Sequence, residues 1–249
     1  MAEWIYGRNA VYETLRAGRR PFHQLKIAKG VKAAERLDEI RALAKQHKLE
    51  IKSVERAELD AISSGHQGVA LRAGDYAYAD VGDMLALAAE RDETPFLLLL
   101  DTLQDPQNLG TLLRSAEAVG VHGVLLPHRR TATVTPAVVN ASSGACEHLL
   151  IAQGNLAQAI ALLKEEDIWV IGLEGGEGAQ PVERVRLDGP LALVVGSEGE
   201  GMRRLVRESC DVLLALPMRG KVESLNAAVA GSIALYMALQ ARGSSAIDS

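Results

Sequence analysis

Cysteine is nearly missing from this chain of 249 residues: only Cys146 and Cys210 occur. Two thiols so far apart support neither a disulfide framework nor a zinc site, and they fit a reduced, cytoplasmic setting best. No long apolar run is present either. Runs such as Phe96 to Leu100 are far too short to span a bilayer. The start, Met1-Ala2-Glu3-Trp4, has no basic region followed by an apolar core, so no secretory leader is expected. Missing too are an internal repeat, a low-complexity tract other than the polar tail after Gly243, a dinucleotide-binding fingerprint and a phosphate-binding lysine loop. Membrane, disulfide-stapled and common nucleotide-enzyme classes all lose ground by these absences.

What remains is an ordinary globular composition, 48% hydrophobic and 24% charged. The net charge of −5 is unevenly spread. Residues 1–75 hold 14 Lys and Arg against 10 Asp and Glu, a balance of +4; residues 76–249 hold 13 against 22, a balance of −9. A basic third on an acidic remainder points to a polyanion meeting the N-terminal part.

Both parts alternate strand and helix patterns, which predicts layered α/β architecture. In residues 1–75, Ala33 to His47 is a good amphipathic helix with Leu37, Ile40, Leu43 and Ala44 on one stripe. Residues 76–93, with few large apolar side chains, read as a linker holding one short helix. Residues 94–243 repeat the alternation with continuous apolar strands, the kind buried on both faces of a parallel sheet. Residues 244–249 read as a flexible tail.

Three stretches carry chemistry. Asp101 to Arg114 follows a buried strand and opens a helix, with Asn108 a plausible N-cap and Arg114 projecting near the carboxyl ends of the strands. By spacing alone, Arg114 fits a solvated (i, i+3) pair with Glu117 better. Gly196-Ser197-Glu198-Gly199-Glu200-Gly201 follows another buried strand, so a ligand can approach its backbone closely. An ordinary glycine-rich turn fits equally. Leu216 to Asn226 links a strand to a long final helix, Leu225 to Arg242, with Ser224 as the expected cap. A strand end, a glycine loop and a helix N-terminus make a pocket with backbone donors.

Taken together, Asn108-x-Gly110-x3-Arg114, Gly196-Ser197-Glu198-Gly199-x-Gly201, and Leu216-Pro217-Met218 with Ser224-Leu225-Asn226 resemble the three motifs of the SpoU (TrmH) family. Those proteins are S-adenosylmethionine-dependent RNA ribose 2′-O-methyltransferases. Tyr6-Gly7-Arg8-Asn9-Ala10-Val11 and His66-Gln67-Gly68-Val69 are similar to the small N-terminal domain of one subgroup, which methylates a guanosine in the peptidyl-transferase loop of 23S rRNA. The resemblance implies an L30e-like RNA-binding domain over 1–75 and a trefoil-knotted SPOUT methyltransferase domain over 94–243 with a mostly parallel sheet. It also implies a homodimer formed through the C-terminal domain, each site completed across the interface, and no metal.

Carried over residue by residue, the family places the cofactor against Gly196, Leu216 and Leu225, with Met218, Gly199 and Gly201 alongside. It implies catalytic roles for Arg114, Asn108, Glu198, Ser224 and Asn226. A guanidinium is a poor base, because its pKa lies at about 12 or above. Arg114 therefore fits stabilisation of a developing alkoxide as well as proton abstraction. Arg8, Asn9, Arg19, Arg20, Arg129 and Arg130 are the RNA contacts that charge and placement suggest, since arginine pairs phosphates bidentately. Asn140 stands where close relatives tend to carry lysine, a change that weakens a basic RNA contact. A tRNA ribose as substrate, a non-catalytic RNA-binding assembly factor and a nucleotide-dependent metabolic enzyme are the competing readings.

Overall fold

The computed structural model describes residues 2–32, 34–176, 178–222 and 224–245. In chain order the elements are β1 (Glu3–Tyr6), α1 (Arg8–Ala17), β2 (Phe22–Ala28), α2 (Glu35–Gln46), β3 (Ile51–Val54), α3 (Arg56–Asp60) and β4 (Val69–Ala73). They continue with α4 (Val81–Glu90), β5 (Phe96–Leu100), α5 (Pro106–Ala118), β6 (Gly123–Pro127), α6 (Pro136–Ala141) and β7 (Leu150–Gly154). The last are α7 (Leu156–Glu165), β8 (Trp169–Leu173), β9 (Gln180–Pro181), β10 (Leu191–Val195), α8 (Arg204–Ser209), β11 (Val212–Ala215) and α9 (Ala227–Ser245). The tail expected for 244–249 lies outside the described residues from 246 on; 244 and 245 continue α9.

Two compact units form. The first joins Met1–Ala77 with Val134–His148, and the second joins Tyr78–Thr133 with Leu149–Ser249. In the first, four strands lie in the order β1-β4-β2-β3; only β2 and β3 run parallel. Leu37, Ile40 and Ala44 of α2 are buried, so the apolar stripe read from the sequence faces the core. The segment 134–148 joins this unit because it is apolar where it meets it: Val138 and Val139 of α6 and Cys146 after it are buried, and the segment packs on β1 and α1. Asn140 donates to the Tyr6 carbonyl at 3.0 Å, so within this unit its amide is a structural tie.

In the second unit, seven strands lie in the order β7-β6-β5-β10-β8-β11-β9, and every neighbouring pair is parallel. All five residues of β5, and all five of β10, are buried. That double-sided burial is why both read as unbroken apolar runs. One face of the sheet packs Leu97, Leu99, Ala192 and Val194 against Met84 of α4, Leu156, Ile160 and Leu163 of α7, and Val206 of α8. The segment 76–93 thus contributes core through Met84 and carries a capping box, Asp80 with Asp83. The other face meets α5 and α9, which pack on each other; a Cβ on Gly231 would lie 2.5 Å from Leu112 and 3.2 Å from Val195. Among the described residues no helix is long and apolar enough to cross a membrane.

Candidate active site

Three loops at the carboxyl ends of β8, β10 and β11 enclose an open cleft of about 260 Å³. Leu173, Val195, Leu214, Leu216, Ala227 and Ala230 give it an apolar floor. Its rim carries Glu174, Gly175, Gly196, Ser197, Glu198, Gly199, Gly201, Met218, Ser224 and Leu225. Open parallel sheets bind ligands at this end. Met218 and Leu225 remain 39% and 36% exposed, apolar surface left at the mouth for a ligand to cover.

Local chemistry explains the glycines. Ser197 and Gly201 exchange backbone hydrogen bonds of 3.0 and 3.1 Å, which closes a tight turn after β10. Gly201 has φ 70°, a left-handed conformation that favours glycine. Gly196 is required for another reason: a Cβ there would lie 2.3 Å from the Gly201 carbonyl carbon.

Caps differ from the sequence expectation, and the difference builds the site. Asp105, not Asn108, caps α5, accepting from the N–H groups of Gln107 at 3.2 Å and Asn108 at 3.1 Å. Pro106 then occupies the first helical position, where a missing N–H costs nothing. Asn226, not Ser224, caps α9, accepting from Ala228 at 3.0 Å and Val229 at 3.2 Å. The helix begins two residues later than expected because Asn226 supplies this acceptor.

Released from capping, the Asn108 side chain meets the other motifs. Asn226 Nδ2 donates to Asn108 Oδ1 at 3.0 Å and to Glu198 Oε2 at 3.1 Å, while Asn108 Nδ2 lies 3.4 Å from the same carboxylate oxygen. One residue from each motif thus closes a triangle, and its Glu198 lines the cleft. Arg114 is exposed on α5 and is not among the residues lining the cleft.

Two acids escaped the sequence reading. Glu174, the first residue past β8, accepts from Arg207 Nε at 2.6 Å. Asp101, fully buried at the end of β5, accepts from Arg203 N–H at 2.7 Å and from its Nε at 2.8 Å. Both follow an apolar strand directly, and a carboxylate at a strand end is the signal that could have found them.

Basic residues fall into three settings. Arg20 is 4% exposed, and its Nε and Nη2 donate to the Glu147 carboxylate at 3.0 and 2.6 Å. Its expected role as an RNA contact is corrected: the guanidinium is enclosed within the first unit. Arg19 is half-buried, 5.6 Å from the Tyr76 ring centroid. Arg8 instead lines a basin of about 630 Å³ with Lys29, Lys32, Arg56 and Gln67, without an acid among its described lining residues. There Arg8 N–H donates to Gln67 Oε1 at 3.0 Å, so the two N-terminal motifs meet. His66 sets that turn: its Nδ1 accepts from Gly68 N–H at 2.8 Å, and its Nε2 meets Asp60 at 2.9 Å. Asn9 is exposed nearby in sequence. In the second unit Arg129 and Arg130 are exposed and share a separate basin with His128 and Arg203.

Burial pushes both thiols, Cys146 and Cys210, up to about 12, so neither is a thiolate nucleophile near neutral pH. Among the described residues no group of three or more His, Cys, Asp or Glu side chains is placed to hold a metal ion.

The cleft suits a ligand with apolar and cationic parts: apolar floor, backbone groups at a glycine turn, two carboxylates at the rim. Fold and site fit one class, the S-adenosylmethionine-dependent RNA ribose 2′-O-methyltransferases, and family matches assign the chain to it. Residues 95–236 match the model of the SpoU rRNA Methylase family, and residues 4–79 match that for RNA 2′-O ribose methyltransferase substrate binding. The chain belongs to the SpoU rRNA methylase family. It is 43% identical over 203 residues to YacO of Bacillus subtilis, assigned to the TrmH family of tRNA/rRNA methyltransferases; the match covers 80% of this chain and 79% of that one. The SpoU methyltransferase AviRb of Streptomyces viridochromogenes, solved with S-adenosylmethionine, superposes with a TM-score of 0.79 at 22% identity, covering 97% and 90% of the two chains. A TrmH/SpoU tRNA modifying enzyme of A. aeolicus superposes with a TM-score of 0.55 at 23% identity, over 61% of this chain and 77% of that one.

Proposed function

We propose that this enzyme methylates the ribose 2′-hydroxyl of a guanosine in the peptidyl-transferase loop of 23S rRNA, as a cytoplasmic homodimer. The observation that carries the chemistry is the Asn108–Glu198–Asn226 triangle at a glycine-walled cleft. The cofactor supplies an electrophilic methyl on a sulfonium. The protein must hold a ribose oxygen in line with it, which is catalysis by proximity. Gly196, Gly199, Gly201, Leu216, Met218 and Leu225 would hold the cofactor; Asn108, Glu198, Ser224 and Asn226 would fix the ribose and the loop around it. Arg114 would stabilise the charge that develops on the 2′-oxygen as its proton leaves.

Support for rRNA over tRNA comes from architecture. The superposition with the tRNA modifying enzyme covers 61% of this chain, whereas that with a solved rRNA methyltransferase of Sinorhizobium meliloti covers 96%. The additional basic unit is what a structured rRNA target would need, and its Arg8–Lys29–Lys32–Arg56 basin, where Lys29 also pairs with Glu55, is its most basic concave part. Arg19 and Asn9, with Arg129 and Arg130 on the second unit, are the further contacts of this reading. Support for a homodimer through the C-terminal part is a stripe on α9, where Val229, Ile233, Tyr236 and Leu239 are all exposed. Arg114 outside the cleft fits a site completed by a second copy. A trefoil knot in the second unit belongs to the same reading.

The test is methyl transfer from labelled S-adenosylmethionine to unmodified 23S rRNA and unmodified tRNA in parallel, with the modified position mapped. Label on one guanosine ribose of the peptidyl-transferase loop is expected. Label on tRNA alone would overturn the substrate. Arg114→Ala is expected to keep cofactor binding and lose methyl transfer by a hundredfold or more, on the order of one lost oxyanion donor.

A further inference from the structure

Among the described residues that line the cofactor cleft there are two carboxylates, Glu174 and Glu198, and no lysine, arginine or histidine. Glu198 is engaged by the two asparagines. Glu174 is held differently. Its backbone N–H donates to the Leu214 carbonyl at 3.1 Å, which ties β8 to β11. Its Oε1 accepts from Arg207 Nε at 2.6 Å. Its Oε2 occupies the space beside Gly201, 3.3 Å from where a Cβ on that glycine would stand. Its backbone is thus anchored to β11 and its carboxylate is held by Arg207 beside Gly201 at the wall of the cleft. Stability does not explain the arrangement: the Arg207 side chain is 38% exposed, and such exposed pairs contribute little.

Methyl transfer changes the charge of what the cleft holds. The substrate form carries a sulfonium; the product, S-adenosylhomocysteine, has a neutral thioether in its place and is otherwise the same apart from the methyl. Resting on the cofactor reading of the cleft, we infer that Glu174 is a charge selector, whose field favours the sulfonium form over the spent thioether and so hastens exchange after turnover. Two carboxylates with no cation on the cleft wall give the field its sign. Partial enclosure keeps solvent from screening it fully. Arg207 has two opposed effects: it places the carboxylate and offsets part of its charge.

The two ligands provide their own control. Calorimetric titration of S-adenosylmethionine and of S-adenosylhomocysteine is carried out on the parent and on Glu174→Gln. The parent is expected to prefer the sulfonium form. In the variant, affinity for it falls about tenfold, while affinity for the thioether changes less than twofold. A damaged cleft would weaken both alike, so equal losses overturn the inference, as does an unchanged ratio. An analogue with an ammonium in place of the sulfonium is the second probe: it must follow S-adenosylmethionine, and an analogue that follows the thioether overturns charge as the cause. If the parent binds neither ligand, the cofactor reading of the cleft fails instead, and the two failures are distinct.

Discussion

Arg20 and Glu147 meet with side chains 1% and 0% exposed. Burial pushes the Glu147 carboxyl up, against the pull of Arg20. Removing the guanidinium alone leaves an uncompensated buried charge, so Arg20→Ala is expected to cost about 3–5 kcal/mol by urea unfolding at pH 8. The pH dependence follows from the sign of the shift. A folded-state pKa above the unfolded one gives a contribution that is present at low pH and lost as pH rises through the folded value. Without Arg20 that rise is larger, so the deficit of the variant at pH 5 should be smaller than at pH 8. An equal deficit at pH 5 and pH 8 would show that Glu147 stays charged in the variant. Asn226 acts in two places at once. Asn226→Ala removes a cap worth about 1 kcal/mol and the donor shared by Asn108 and Glu198. Melting should move modestly while methyl transfer collapses; Asn226→Ser, which restores a capping oxygen without the amide, should recover the melting temperature and not the activity.

At the scale of elements, the cleft depends on how closely the turn after β10 folds back. Gly196 packs on the Gly201–Met202 backbone, which a side chain cannot push aside cheaply. Gly196→Ala is therefore expected to abolish cofactor binding by calorimetry. Gly243→Ala, at a position where a Cβ would meet nothing, should leave it intact. The caps show what periodicity misses. The helical stretches at 109–118 and 227–242 were legible from their apolar spacing. Their starts were not, because Asp105, Asn108, Ser224 and Asn226 are all chemically able to cap. Which of them caps depends on where each strand ends and how the loop turns, and that choice frees Asn108 for the site.

At the scale of the whole molecule, α9 is apolar nearly all round. Ala228, Ala234, Leu235 and Ala238 are buried, and Tyr236 is 53% exposed on the opposite side. A helix of that kind needs cover on its second face. If a second copy supplies that cover, Ile233→Asp with Tyr236→Glu is expected to turn a parent dimer into a folded monomer by sedimentation equilibrium, one that binds cofactor weakly and does not methylate RNA. A dimer that survives both charges would place the interface elsewhere.

The alternation of strands and helices, though not the short β1 and β9, the charge split between the N-terminal third and the rest, and the three motif stretches were determined by sequence alone, because burial periodicity, charge and glycine demands are written locally. Tertiary structure decided the rest. It joined 134–148 to the first unit, enclosed Arg20 while leaving Arg8 at a basic basin, and brought Glu174 to the cleft wall. A residue's partners in space are set by sheet order, and β8, β10 and β11 become neighbours only when the sheet closes. The carboxylate of Glu174 lies beside Gly201 for that reason, 27 positions away in sequence.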